Sequence, residues 1–300
     1  MTAISRREFV KRSAGDAALA ALLPMAAREA RANPLGLPIG SQTWPHRQRI
    51  KDGDFAGLCR DMAALGIGDL ELCSPGYAEF GSLADAKQTR KILEDHGLKC
   101  SSTHVTMEEL RTRRDQVNAW ARAVGMTQLG TATLAGPVKD GTTTMDAVKK
   151  AADEYNTIAE SAAKAGLQQF LHDEGFEMSK VDGRLTYEVL LERLDPKLVK
   201  MQFQMSAMRV VGDPVTYFNK YPGRFVSMHL QGVDLKAPMP APGGPRPSGP
   251  RPPQLAVGKD SLDWAKIFAA AKTGGVKNYF LEQNWDLTVQ GVAYLKTLNV

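Results

Sequence analysis

Five histidines occur in the sequence, and four of them stand where short apolar runs end. His104 ends CSSTH, His172 ends LQQFLH, His229 ends RFVSMH, and His46 follows SQTWP. The exception is His96, in EDHG. Imidazoles bind transition metals and transfer protons near neutral pH. Four histidines in equivalent places therefore predict metal or acid–base chemistry.

Two glutamates end other apolar runs. Glu282 follows NYFL directly, and Glu71 lies in DLELCSPGY. A carboxylate is costly to bury unless it meets a cation or a donor, which favours a functional role for Glu282. Glu71 has two readings, a contact to substrate or an ion pair with an Arg such as Arg47. Imidazole and carboxylate together suit one divalent ion of Mn, Zn, Fe or Co better than Ca or Mg.

The elements that position these residues follow a repeat. A helix ending at Gly, followed at once by an apolar, β-rich run, recurs as AALGIGDLEL, EDHGLKCSS, RAVGMTQLG, AKAGLQQFL, KYPGRFVSM and KTGGVKNYFL. Gly supplies the left-handed helix cap, and the run after it is the next strand. The runs PIGSQTW and LVKMQFQM complete a set of eight strands.

Eight strands alternating with helices predict an α/β fold, a single-domain (β/α)8 TIM barrel over residues 33–300. An open doubly wound sheet is the alternative, because periodicity does not reveal closure. A barrel carries its chemistry at the carboxyl ends of the strands. That is where the four histidines lie.

The N-terminus has the pattern of an export signal. Residues 5–11, SRREFVK, precede the Ala- and Leu-rich stretch Ala14–Ala27 and a small-residue site before Asn33. Residues 1–32 thus resemble a twin-arginine (Tat) signal peptide, the alternative being a basic amphipathic helix. The stretch is too short for a stable membrane span. We therefore expect the Tat translocase as a partner, a folded exported protein, and a periplasmic or secreted location.

Charge and cysteine content exclude several classes of function. Residues 1–32 hold six Lys and Arg against three Asp and Glu, so +3 of the net charge of +5 lies there and about +2 remains. So small a charge argues against nucleic-acid and polybasic membrane binding. The three cysteines, Cys59, Cys73 and Cys100, have unrelated spacings that make a disulfide framework improbable.

A proline-rich segment interrupts the repeat after strand 7. Residues 236–253, KAPMPAPGGPRPSGPRPP, hold eight of the seventeen prolines and no apolar period. They predict an irregular loop at the active-site rim. The loop is either an insertion without a role or a lid or docking segment.

Several motifs together resemble a known superfamily. HDEGFEM is similar to its HNHDFEF, MHLQGVD to its HxKD and FLEQNW to its VExD, and VGKDSLDW precedes helix 7. Residues 37–300 thus resemble the xylose isomerase-like TIM-barrel superfamily, the sugar phosphate isomerase/epimerase-like barrels that also include endonuclease IV. The resemblance implies one divalent metal ion, held by residues of strands 5 to 8.

Carried across by position, the implied metal ligands are His172, Gln204, His229 and Glu282. Gln204 replaces an anionic Asp by a neutral amide, which disfavours hard cations and favours Zn, Fe or Co. Ser206 is the alternative occupant of that slot if the strand register shifts by two.

The resemblance also implies proton abstraction next to a sugar carbonyl. Two glutamates perform it in the family's epimerases, whereas strand 5 offers His172 here. We therefore expect one carboxylate base, Glu282, with a histidine such as His104 as acid or second base, which suits isomerisation or elimination. Glu177 stands at the family's second acidic position and is expected to orient a substrate hydroxyl or a metal ligand. Asp173 and Glu174 are expected to face solvent or cap the loop.

The predicted substrate is a neutral sugar or glycoside. MHLQGVD has Gln231 and Gly232 where the family usually has Lys and Asp, and no phosphate cradle is apparent. The predicted substrate contacts are Trp44, His46, Glu71 and Trp285, with the two Trp side chains forming an apolar wall or packing at the rim. Alternatives are a 3-keto-glycoside lyase of the same fold and, in another class, a non-catalytic sugar-binding barrel with a degenerate metal site.

Overall fold

The computed structural model describes residues 33–134, 142–237 and 254–300. The predicted export signal, residues 1–32, lies outside the described residues. So do residues 238–253, which make up most of the predicted proline-rich insertion. Both stay predictions.

Eight parallel strands close into a barrel in chain order. They are β1 (Gly40–Gln42), β2 (Asp69–Cys73), β3 (Lys99–His104), β4 (Gln128–Thr131), β5 (Gln168–His172), β6 (Val199–Gln204), β7 (Phe225–Leu230) and β8 (Asn278–Leu281). Pairing between β1 and β8 completes the ring. The predicted (β/α)8 TIM barrel is confirmed, and the open sheet is excluded.

Helices connect the strands on the outside. The α-helices of the described residues are α1 (Arg47–Lys51), α2 (Phe55–Leu65), α3 (Ala86–Asp95), α4 (Met107–Thr112), α5 (Arg114–Val124), α6 (Met145–Lys164), α7 (Thr186–Arg193), α8 (Met208–Val211), α9 (Pro214–Lys220), α10 (Trp264–Gly274) and α11 (Trp285–Leu295). A hairpin of Lys180–Val181 with Arg184–Leu185 lies between β5 and α7. None of these described helices is both long and apolar enough to cross a membrane.

The predicted glycine caps are present. Gly66, Gly125 and Gly275 end α2, α5 and α10 with φ angles of 94°, 108° and 92°. A residue with a Cβ is strained in this left-handed region, whereas Gly adopts it freely. Each cap turns the chain directly into the next strand.

Two register shifts lie next to buried polar residues of the barrel strands. Pairing between β2 and β3 skips one residue, so that Glu71 lies beside Ser102. Pairing between β6 and β7 skips one residue in the same way, and Gln202 lies beside Ser227. Such bulges re-aim side chains. At both shifts the paired residues are polar and buried, Glu71 with Ser102 and Gln202 with Ser227.

The three cysteines are buried free thiols, Cys59, Cys73 and Cys100. Cys73 ends β2, Cys100 lies in β3, and Cys59 lies on the buried face of α2. The described fold therefore rests on its packed core and hydrogen bonds.

Candidate functional site

Three histidines meet at the carboxyl end of the barrel. His104 ends β3, His172 ends β5, and His229 is the penultimate residue of β7. Their ring centroids lie 5.2 Å apart for His104 and His172, 5.4 Å for His104 and His229, and 4.6 Å for His172 and His229. All three are buried, and one ring nitrogen from each lies within 4.8 Å of the other two. They form a cluster with the dimensions of a metal site.

Glu71 lies beneath this cluster. Its Oε1 lies 2.5 Å from His229 Nε2 and 3.2 Å from His104 Nε2. Its Oε2 accepts hydrogen bonds from Ser102 Oγ at 2.6 Å and from Gln202 Nε2 at 2.8 Å. Glu71 is fully buried. Both oxygens are therefore already in use, and its predicted contact to substrate stays a prediction.

Burial and charge set the protonation of this group. Burial alone would raise the pKa of Glu71, but the imidazoles of His104 and His229 hold it well below its usual value. Burial would lower the pKa of His229, yet the carboxylates of Glu71 and Glu282 raise it to about 10. Burial, followed by the neighbouring His229 and His104, lowers the pKa of His172 well below its usual value. A neutral imidazole thus lies beside a carboxylate and an imidazolium.

Glu282 follows β8 at the mouth of the barrel. Its Oε2 accepts hydrogen bonds from Gln204 Nε2 at 2.9 Å and Gln231 Nε2 at 2.8 Å. The same oxygen lies 3.2 Å from His229 Nδ1. Burial would raise the pKa of Glu282, but His229 and the Gln204 amide lower it. Glu282 is therefore ionised at neutral pH.

The donor atoms of this site fit a divalent ion. His172 Nδ1, His229 Nδ1 and Gln204 Oε1 are buried and have no hydrogen-bond partner. Two ligands bound to one ion at about 2.0–2.2 Å, at angles near 90–109°, lie roughly 3 Å apart. The separation of 3.2 Å between His229 Nδ1 and Glu282 Oε2 matches that geometry. The residues able to hold a metal are thus the three histidines, Glu282 and the Gln204 oxygen.

The structure brings the four predicted metal ligands together and adds His104 to them. Gln204, the last residue of β6, occupies the strand 6 position, whereas Ser206 is exposed in the turn Met205–Ala207. The alternative register with Ser206 in the site is therefore wrong. Whether these residues bind a metal stays a prediction.

A cavity of about 170 Å³ opens above the histidines. It is lined by Gln42, Trp44, Cys73, Tyr77, His104, Ala132, His172, Glu174 and Glu282. Among the residues that the structure describes, 33–134, 142–237 and 254–300, no Lys or Arg lines this cavity. The cavity therefore has space for a small polar molecule and carries negative charge.

The predicted aromatic wall is only partly formed. Trp44 lines the cavity, stacks on Phe80 at 6.2 Å and lies 5.7 Å edge-on from Tyr77. Trp285 instead packs edge-on against His46 at 6.0 Å. Burial, with Arg49 nearby, lowers the pKa of His46 to about 4. His46 and Trp285 thus form a neutral aromatic pair at the rim.

Glu177 and Asp173 are buried carboxylates beside the site. Glu177 accepts hydrogen bonds from Thr133 Oγ1 at 2.9 Å and Leu134 N at 2.9 Å, which joins it to the loop after β4. Its predicted catalytic role stays a prediction. Asp173 is 0% exposed and accepts a hydrogen bond of 2.7 Å from Gln204 N. The expectation that Asp173 faces solvent is wrong, because its carboxylate supplies the acceptor for that backbone group.

Sequence reasoning missed Gln202, Ser102, Ser227 and Tyr77. A signal for Gln202 was present, since VKMQFQ alternates and places Gln202 on the same face as Gln204. The same alternation places Ser102 on the face of His104 and Ser227 on the face of His229, whereas their pairing with Glu71 and Gln202 depends on the register shifts.

The sequence matches no family model and no curated protein sequence. Solved structures nevertheless share the fold. A sugar phosphate isomerase/epimerase from Parabacteroides distasonis is 20% identical, with a TM-score of 0.66 over 86% of this chain and 93% of that chain. A xylose isomerase-like TIM-barrel protein from Mycobacterium smegmatis, in complex with magnesium, is 15% identical, with a TM-score of 0.60 over 87% and 95%. A D-allulose 3-epimerase from Methylomonas sp., in complex with D-allulose, is 12% identical, with a TM-score of 0.61 over 83% and 84%.

At these identities the likeness establishes the fold alone. The fold is a (β/α)8 TIM barrel, and the solved structures that share it include a sugar phosphate isomerase/epimerase, a xylose isomerase-like TIM-barrel protein and a D-allulose 3-epimerase. The activity of this chain must be argued from its own site.

Proposed function

We propose that the protein is a metal-dependent, isomerase- or epimerase-like enzyme that removes a proton next to the carbonyl group of a neutral sugar. The observation that carries the proposal is Glu282, an ionised carboxylate that lines the cavity and lies 3.2 Å from a ring nitrogen of the histidine cluster. Such a carboxylate beside neutral and cationic imidazoles provides a base and acids in one site.

The histidine cluster and Glu282 would hold one divalent ion. Zn, Mn, Fe and Co suit this set of imidazole and carboxylate ligands. Such an ion would supply Lewis-acid polarisation of the sugar carbonyl.

Glu282 would accept the proton from the carbon next to the carbonyl. The amides of Gln204 and Gln231 hold its carboxylate in place through two hydrogen bonds. His104 and His172 also line the cavity, and an imidazole that the ion leaves unbound would return or relay a proton. Trp44 would cover one face of the sugar ring, because it lines the same cavity.

A neutral substrate fits the charge of the cavity. Glu174 and Glu282 line it, and the described lining contains no Lys or Arg to pair with a phosphate. A phosphate group held away from the proposed ion would therefore lie near Glu174 or Glu282 with no Lys or Arg of the described lining to pair with it. A neutral monosaccharide or a small glycoside carries no such charge and needs no cationic partner.

A second candidate function is a 3-keto-glycoside lyase of the same fold. It is favoured because the site has one carboxylate base and not two. The end of β5 contributes the imidazole of His172, and the residue after β8 contributes the carboxylate of Glu282. One base is sufficient to remove the proton next to a 3-keto group, and an imidazole can protonate the departing oxygen. Release of the aglycone distinguishes the lyase from the isomerase.

Deuterium exchange tests the proposed chemistry. Keto sugars and a 3-keto-glucoside are incubated with the protein in 2H2O, and deuterium incorporation next to the carbonyl is measured by mass spectrometry. Exchange should fall at least about 100-fold in Glu282→Gln and persist in Glu174→Gln, the matched control in the same cavity. Unchanged exchange in Glu282→Gln would contradict the proposal, and sugar binding without any exchange would identify a non-catalytic binding protein.

We also propose that the protein is exported through the Tat system to the periplasm or beyond. The paired arginines Arg6 and Arg7 support this, with the apolar stretch that follows them. Cell fractionation of the full-length chain should find it outside the cytoplasm. The double change Arg6→Lys with Arg7→Lys should retain it inside, and unchanged export of that variant would refute the proposal.

A further inference from the structure

A buried polar layer lies directly beneath the histidine cluster. It consists of Glu71, Ser102, Gln202 and Ser227, each 0% exposed, and is called the polar floor here. Barrel interiors are usually filled by bulky apolar side chains, and buried polar groups are unfavourable unless fully hydrogen-bonded. Four such residues in one layer therefore point to a role in hydrogen bonding to the histidines above them and not only to filling the barrel.

Hydrogen bonds within the polar floor determine how Gln202 is oriented. Its Nε2 donates to Glu71 Oε2 at 2.8 Å and lies 2.9 Å from Ser227 Oγ. The carboxylate oxygen can only accept, so this end of the amide must be the nitrogen. The amide oxygen then points the other way, and it lies 2.7 Å from His104 Nε2. His104 Nε2 must therefore carry a hydrogen.

Glu71 imposes the same condition on His229. The ionised carboxylate is an acceptor only, and its Oε1 lies 2.5 Å from His229 Nε2. His229 Nε2 must therefore also carry a hydrogen. The other ring nitrogen, His229 Nδ1, is buried without a hydrogen-bond partner and lies 3.2 Å from Glu282 Oε2. That nitrogen faces the site at which the ion would bind.

We propose that Glu71 and Gln202 are positioning residues, which fix His104 and His229 with hydrogen on Nε2 and thereby present Nδ1 to a divalent cation. Metal-binding histidines depend on such partners, because a hydrogen bond to the distal nitrogen fixes the tautomer and increases the basicity of the ligating one. Glu71 then neither binds the ion nor touches the substrate. This inference rests on the proposed metal site.

The same cluster also allows the ion to bind on the opposite side of the two rings, and this arrangement predicts a different effect of changing Glu71. In it, the ion would bind Nε2 of His104 and His229 together with Glu71, and the polar floor would be part of the coordination shell. Glu71→Gln would then abolish metal binding, whereas loss of an orienting partner reduces metal affinity by about 10–100-fold.

NMR of the full-length protein distinguishes binding of the ion through Nδ1 from binding through Nε2, and it needs no variant. Long-range 1H–15N correlation of metal-free protein shows which ring nitrogen carries hydrogen. We expect hydrogen on Nε2 of His104 and, after addition of Zn²⁺, retained Nε2–H signals with shifted Nδ1 signals for His229. Hydrogen on Nδ1 of His104, or loss of the Nε2–H signals on adding Zn²⁺, would overturn the inference.

The metal-free spectrum also separates this inference from the proposed function. Absence of Zn²⁺ or Co²⁺ binding would contradict the proposed function, while the tautomer of His104 in the metal-free protein still decides the role of the polar floor. Hydrogen on Nε2 without metal binding would show that the polar floor fixes the tautomer of His104, while the presentation of Nδ1 to an ion would fall together with the proposed function.

Variants measure the size of the effect. Co²⁺ titration, followed by its visible absorption, should show about 10–100-fold weaker binding in Glu71→Gln and in Gln202→Met. The matched control is Asp69→Asn, because Asp69 is a buried carboxylate of the same strand that bonds to Ser101 and Asn278 at the far end of the barrel. Its Co²⁺ affinity should stay within about threefold of wild type. An equal loss in Asp69→Asn, or none in Glu71→Gln, would refute the positioning role.

Discussion

The side-chain amide of Gln204 donates a hydrogen bond of 2.9 Å to Oε2 of Glu282. Gln231 donates a second bond, of 2.8 Å, to the same oxygen. Both residues are among those at which the sequence departs from the pattern that it resembles. In the structure, both departures stabilise the negative charge of one carboxylate. The oxygen of the Gln204 amide has no partner, which leaves it free to act as a metal ligand.

Replacing Gln204 by Glu should lower the stability of the metal-free protein and raise its affinity for a divalent ion. The new carboxylate would lie beside Glu282, where it repels that group in the metal-free protein but adds an anionic ligand for an ion. We expect affinity for Mn²⁺ to rise about tenfold and the thermal midpoint measured with chelator to fall. Calorimetric titration and thermal unfolding measure the two effects.

The matched control for that change is Gln204→Met, which removes the donor without adding charge. It should lose about 1–3 kcal/mol of stability and gain no Mn²⁺ affinity. If Gln204→Glu binds Mn²⁺ no better than Gln204→Met does, residue 204 does not face the ion.

Glu177 should make stability fall with rising pH. Burial raises the pKa of Glu177 well above its usual 4.5, so the folded protein keeps a proton that the unfolded chain has released. This contribution is fully present below pH 4.5 and is lost as the pH rises through the folded-state pKa. Glu177→Gln, which resembles the protonated acid, should show a shallower decline. Urea unfolding between pH 5 and about 9 measures it.

The same variant distinguishes a loop anchor from a catalytic group. Removing a general acid or base lowers the rate by about 10²–10⁴-fold, whereas a neutral Gln can still accept from Leu134 N. We expect less than about a tenfold loss of activity in Glu177→Gln. A larger loss without a change in stability would support the predicted catalytic role instead.

Trp44 and Trp285 should differ in their effect on sugar binding. Trp44 lines the cavity, whereas Trp285 packs against His46 at the rim. Trp44→Ala should weaken binding of the sugar about 3–10-fold, as expected for the loss of one aromatic contact of roughly 1 kcal/mol. Trp285→Ala serves as its control and should lower stability with little change in sugar affinity. Equal losses of affinity would show that both rings contact the substrate.

The positions of the strand ends were predictable because their signals are local. A helix, a glycine cap and an apolar run lie within about ten residues of each other, so the pattern gave the eight strands and placed His104, His172 and His229 at one end. No long-range information was needed for this step.

The partner of each side chain was not predictable. Glu71 and His229 are 158 residues apart in the chain and meet only because the barrel closes and brings β2 and β7 together across its interior. The buried position of Asp173 has no signal in the sequence, because nothing in HDEG shows that the backbone N–H of Gln204 needs an acceptor. Contacts across the barrel interior depend on closure and register, which single-sequence periodicity does not contain.

The metal content of the protein tests the central claim most directly. Protein purified without chelator, analysed by inductively coupled plasma mass spectrometry, should contain about one divalent transition-metal ion per chain. The ion should be lost in His172→Ala and His229→Ala and retained in His96→Ala, whose histidine lies after α3, outside the cluster. A wild-type protein that binds no divalent ion, or His229→Ala protein that retains it fully, would contradict the account.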